Sequence, residues 1–245
     1  MRKYLVLLWL LLPLPVVVLH FGRGQQWLAL DKAGDLVRKA ETAEKQENWA
    51  QADQFYQQAS KQAGAQDNAL RLRLDLAQTR TRYRMGEAVE AIDRADRLMD
   101  DAALKKMPVD FQREARELAG RIHYYAGWVM RLEGAGRELW MEEAELARQS
   151  FRLLTEKSES EGAVKYASTQ QENLESVVQL QRLSLTELMA RPLPKEGQCM
   201  CNQGLTEQMN KRRGQRGKKP GRCEGNEGPP DKGAGMKRFE PGEGS

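Results

Sequence analysis

Between Gln25 and Arg191 the chain contains a single proline, Pro108, and that near-absence limits the fold more than any other feature. Proline removes an amide donor and clashes with the preceding helical turn, so long proline-free stretches are where helices can persist. This stretch is rich in Ala, Leu, Glu, Gln and Arg, which are good helix formers, and poor in runs of β-branched or aromatic residues. Apolar residues recur at three- and four-residue steps: Leu36, Ala40 and Ala43; Ala52, Tyr56 and Ala59; Leu72, Leu76 and Tyr83. The pattern predicts an all-α fold. Breaks are expected near Glu47-Asn48, Gly64 to Asp67, Gly86, Asp100-Asp101, Gly127, Gly134 to Gly136 and Ser158 to Ser160. Helices of this length joined by short links fold back as antiparallel pairs.

The two ends differ from this middle. Met1-Arg2-Lys3 precedes an uninterrupted apolar run from Tyr4 to Leu19. At ~1.5 Å per residue the run reaches about 24 Å, short of a comfortable bilayer span of ~20 residues. No A-x-A-like site follows it. Residues 1–24 are therefore read as a signal anchor, with a signal peptide as the alternative, and Trp27 as an interfacial residue. Arg2 and Lys3 keep the amino terminus cytoplasmic, which puts the body in the periplasm or outside, on a single-pass protein of the inner (cytoplasmic) membrane.

Residues 192–245 hold 11 Lys+Arg against 7 Asp+Glu, which accounts for the whole formal net charge of +4. With 11 of the 21 glycines and 6 of the 9 prolines, and no apolar periodicity, they read as a disordered basic Gly/Pro-rich tail. Its basic cluster is Lys211, Arg212, Arg213, Arg216, Lys218, Lys219 and Arg222. Without interleaved aromatics to stack bases, nucleic acid is a poor partner. For an exported chain, anionic lipid or cell-wall polymer is a better one.

Within 25–191 the residues resemble a tetratricopeptide repeat. Trp49 to Ala59 looks like the second helix of such a repeat, with Ala52 as the small contact residue and Tyr56 as the filler. Met85 to Ala95 is a second copy, with Gly86 as its turn and Ala91 as its small residue. Leu118 to Gly127 resembles a first helix ending in its turn glycine, with Ala147 and Phe151 on the following helix and Trp128 to Leu139 as an insertion. The spacings depart from the family's period of 34: Ala52 to Ala91 is 39 residues and Ala91 to Ala147 is 56. Ala163 to Arg191 is then a terminal helix capping the stack, as repeat arrays require. The resemblance implies a concave groove lined by Arg80, Tyr83, Arg84, Arg121 and Tyr124. Arg73 shares a helix face with Arg80 and Arg84, and arginine forks suit a carboxylate on an acidic peptide or a chain terminus. A solvated face paired with Glu87, Glu90, Asp93 and Asp96 is the plainer alternative. The layout of anchor, repeats and tail is also similar to small repeat proteins of bacterial aerotolerance operons.

No catalytic motif is present, and the chain is expected not to be an enzyme and to need no cofactor. His123 reads as a packed, hydrogen-bonded histidine, and Glu142-Glu143 as a solvated pair. Cys199, Cys201 and Cys223 are one thiolate short of a tetrahedral zinc site, so they are weak metal candidates. The expected function is a membrane-anchored scaffold or adaptor, contacting other membrane or periplasmic proteins through helical repeats. The alternatives are a nucleic-acid- or anionic-polymer-binding protein acting through the tail, and a periplasmic thiol or metal protein using the three cysteines.

Overall fold

The computed structural model describes residues 25–64, 67–191 and 204–216. The apolar run Tyr4–Leu19 and the three cysteines lie outside them. Among the described residues every regular element is helical. In chain order these are α1 (Gln25–Lys45), α2 (Trp49–Ala63), α3 (Asn68–Arg84) and α4 (Ala88–Asp100), followed by a 3-10 turn (Ala102–Lys106). Then come α5 (Val109–Leu132), α6 (Arg137–Ser160), α7 (Val164–Arg182), the short α8 (Leu185–Met189) and α9 (Leu205–Arg216). From α1 to α7 each helix packs on the next, so the body is built of packed helix pairs.

One turn recurs in the sharp connections. After α1, α3, α5 and α6 a residue with positive φ closes the helix: Glu47, Gly86, Gly134 and Gly162. The following amide then bonds back five residues, Asn48 to Ala43, Glu87 to Arg82, Ala135 to Met130 and Ala163 to Ser158. This pattern satisfies carbonyls orphaned at a helix end and starts the next helix within a few residues. Gly86, Gly134 and Gly162 adopt that backbone without a Cβ penalty. Polar side chains start α2 and α3: Asn48 accepts from Gln51 N, and Asp67 accepts from Ala69 N and Leu70 N.

The core is a relay of three clusters. The first joins Ala33, Ala40 and Ala43 of α1 to Ala52, Tyr56 and Ala59 of α2 and to Leu74 and Ala77 of α3. The second runs from Leu72, Leu76 and Tyr83 through Ile92 and Leu98 to Leu118, Ile122 and Met130. The third sets Trp128 of α5 against Ala147, Phe151 and Leu154 of α6, Val177 and Leu180 of α7, and Leu188 of α8. Because each helix face is covered mainly by its neighbours, burial passes along the chain, as it does in stacked repeats.

Three expectations are corrected. Gly127 does not end a helix, because α5 continues to Leu132. A Cβ on Gly127 would lie 3.1 Å from Trp140 O and 3.3 Å from Ala144 N, so this glycine lets the α6 backbone approach closely. Trp128 to Leu139, the expected insertion, forms the end of α5, a turn and the start of α6. Ala163 to Arg191 is two helices, because Ser184 and Glu187 form a reciprocal capping box that starts α8. Within the expected structureless tail, Leu205–Arg216 is a helix with Leu205 and Met209 buried. The rest of 192–245 lies outside the described residues.

Candidate partner-binding groove

The first helices of successive pairs, α3 and α5, together with α7, line a groove of ≈ 420 Å³. Arg80 of α3, Arg113, Glu114, Glu117 and Arg121 of α5, and Tyr166 of α7 face it. Arg80 binds Glu44 of α1 through both Nε and Nη2, with Nη2 3.0 Å from Oε2, and reaches Glu114 Oε1 at 3.2 Å through Nη1. Tyr166 donates to Glu117 Oε2 at 2.8 Å, and Arg121 lies 3.5 Å from Glu117 Oε1. Burial, reinforced by the Glu117 carboxylate, holds the Tyr166 phenol well above its usual range. Arg113 bonds Asp110, pairs with Glu161 and lies over the Tyr166 ring. The groove floor therefore alternates in sign, and each of these arginines has a carboxylate beside it.

Of the residues expected in such a groove, Arg80 and Arg121 are brought together there. Tyr83 is buried in the core with its ring edge-on to Tyr125, and Tyr124 packs edge-on against Trp128. Burial pushes the Tyr124 hydroxyl up to about 12. Arg84 stacks 5.5 Å from the Trp49 ring, and Arg73 is exposed on α3. Arg82, also on α3 and not among the expected groove residues, meets three carboxylates. Its fork binds Asp53 through Nη2 to Oδ2 at 2.6 Å and Nε to Oδ1 at 3.1 Å, and it also meets Glu87 and Glu90. The Asp53 side chain is 5% exposed. Such a buried fork fixes the register of α2 on α3.

A second charged assembly lies between α4, α5 and α6. His123 is buried, with Nδ1 2.6 Å from Glu143 Oε2 and Nε2 3.3 Å from Asp96 Oδ1. Burial alone would depress the imidazole, but bonds to two carboxylates outweigh it and raise the ring to about 9, so it is a cation at neutral pH. Asp96, for its part, is buried enough to be raised, yet His123 and Arg212 hold it far below the usual carboxylate range. The expected solvated pair Glu142-Glu143 is corrected here: Glu143 is buried on His123 and Glu142 pairs with Arg213. A cleft of ≈ 980 Å³ opens beside this assembly, lined by Asp96, Arg116, His123, Gln149, Ser150 and Arg152 among others.

The tail's basic cluster is partly engaged. Arg212 meets Asp93 and Asp96, Arg213 meets Glu142, and Lys211 lies 2.7 Å from Glu207. Lys218, Lys219 and Arg222 lie outside the described residues, and nothing is described of the Arg216 side chain. Among the described residues no cluster of His, Cys, Asp or Glu has the arrangement to hold a metal ion, and no helix is long and apolar enough to cross a membrane. No protein-family model, curated protein or solved structure matches the chain.

Proposed function

We propose that the protein is a membrane-anchored, extracytoplasmic adaptor of tetratricopeptide-like build that holds other membrane or periplasmic proteins through its helical repeats. The observation that carries the reading is the groove shared by α3, α5 and α7, in which Arg80, Arg121 and Tyr166 come from successive helix pairs. Stacked pairs offer an extended concave surface suited to a partner segment. Because Glu44, Glu114 and Glu117 already lie against the groove's arginines, an incoming carboxylate must displace one of them. The preferred occupant is therefore an extended segment carrying both signs of charge. Anchoring draws support from the start of α1, where Trp27, Leu28 and Leu30 are exposed, the first of them eight residues after the end of the apolar run. The engagement of Arg212 and Arg213 with acidic residues of the body leaves less of the tail's charge for nucleic acid.

A photo-reactive residue replacing Glu114, in the groove, or Arg152, outside it, tests the reading in the native membrane. Glu114 should yield a discrete protein adduct that disappears when Arg80→Ala and Arg121→Ala are added, and Arg152 should not. Equal labelling from both positions would sink the groove assignment. Protease protection of residues 25–245 in spheroplasts would separately overturn the exported topology.

A further inference from the structure

The helix α9 makes its principal contacts with α4 and α5. Residues 190–204 separate it from α8 in sequence. The body meets α9 at three levels. At its start, Glu133 accepts amides from Gly204 at 3.0 Å, Leu205 at 3.1 Å and Thr206 at 2.7 Å, satisfying donors that a helix end leaves orphaned. Next, Leu205 and Met209, one helical turn apart, enter the cluster that contains Met130 and Trp140. Finally Arg212 sits between Asp96, at 2.6 Å, and Asp93, whose oxygen lies 2.5 Å from Nε but off the N–H direction, while Arg213 pairs with Glu142.

The shelf under α9 exists because α5 and α6 are longer than the pair before them. Each has 24 residues, against 13 in α4. Tyr83, one residue from the end of α3, packs edge-on against Tyr125, so the rest of α5 and the start of α6 project beyond the preceding pair. The exposed seam offers a carboxylate, an apolar floor and an acidic rim in that order, matching a helix that carries apolar residues at its first and fifth positions and arginines at its eighth and ninth. Behind the rim, the His123 cation of α5 and Glu143 of α6 hold Asp96 in place. Among the α9 side chains that are described, Leu205 and Met209 are the buried ones, against the entropy of ordering a 12-residue helix. Two buried side chains do not by themselves offset that entropy, so α9 keeps its place only through the further contacts it makes with the body.

We propose that this seam between α4, α5 and α6 is a binding site for a basic amphipathic helix of a partner protein, and that α9 occupies it as an intramolecular stand-in. It is distinct from the concave groove, since α4 and α6 are the second helices of their pairs, and it stands whether or not that groove binds anything. Because α9 already fills the seam within the same chain, a partner helix must displace it.

The test uses the full chain and a fluorescent peptide of residues 204–216. Anisotropy should show binding to a Leu205→Asp/Met209→Asp chain at least 10-fold tighter than to the wild type. A second undocking variant, Arg212→Glu/Arg213→Glu, leaves the apolar anchors intact and should behave the same way. Adding Asp93→Lys and Glu142→Lys to the first variant should remove the gain, and a peptide carrying both arginine-to-glutamate changes should bind no chain that keeps Asp93 and Glu142. Equal binding to wild-type and undocked chains, or no saturable binding to either undocked chain, overturns the proposal. Loss of cooperative unfolding in both undocked variants also overturns it, because α9 would then belong to the core. If light scattering shows wild-type dimers that exchange α9, the occupant is a second copy and the partner assignment fails.

Discussion

Raising the pH through the alkaline range should weaken the fold through one buried side chain, His123. Its ring is raised to about 9 by Asp96 and Glu143 despite burial, whereas an unfolded histidine titrates near 6.5. A group whose folded pKa lies above its unfolded value contributes its full stabilisation below the unfolded pKa and loses it as pH rises through the folded one. At about 1.4 kcal/mol per pH unit, the interval from 6.5 to 9 is worth about 3 kcal/mol. That is a large share of the ~5–15 kcal/mol by which domains are stable. At the acid end Asp96 works in the opposite sense: its depressed pKa makes its contribution fall as pH drops below the ordinary carboxylate range. Urea unfolding of the wild type and of His123→Gln across pH 5 to 10 reads the difference directly, and subtraction cancels other titrating groups. With only two histidines in the chain, the imidazole resonance of His123 is separable from that of His20. A ring that titrates at or below 6.5, or a stability difference that stays flat between pH 6.5 and 9, would refute the reasoning.

Two further outcomes follow from packing. Arg82→Ala leaves Asp53 buried without its fork and should cost about 3–5 kcal/mol by urea unfolding, whereas a loss under 1 kcal/mol would mean that water replaces the guanidinium. Gly127→Ala should improve intrinsic helix propensity by about 1 kcal/mol yet lower the melting temperature, because the atoms 3.1 and 3.3 Å from the new methyl belong to the α6 backbone. A raised melting temperature would show that α6 can retreat without loss.

The helices and their pairing were legible because both rest on local signals. Of the residues of the three- and four-step pattern, Ala40, Ala43, Ala52, Tyr56, Ala59, Leu72, Leu76 and Tyr83 are buried where the periodicity puts them, and Leu36 is half-buried. The turns at Gly86 and Gly134 were legible too, since glycine between helical stretches marks a left-handed closing residue. Gly127 defeated the same rule. A glycine that ends a helix and one that admits a neighbouring backbone look alike in sequence, and only the path of α6 distinguishes them. The groove was half legible. The tetratricopeptide resemblance implied that Arg80 and Arg121 share one surface, and they do, while Tyr83 is buried in the core and Tyr124 is half-buried against Trp128.

The tail shows the limit most clearly. Leu205 and Met209 are too sparse an apolar pattern to specify a helix from sequence, and Arg212 and Arg213 read there as free charge. Their order comes from Glu133, Asp93, Asp96 and Glu142, which lie up to about 120 residues earlier in the chain. The sequence by itself determined an all-helical body of paired elements, because helix propensity and amphipathic period depend on residues a few positions apart. Which charges are buried, which glycine is a contact and which surface receives α9 were decided only by the tertiary structure, because each depends on partners that come near only once the helices stack.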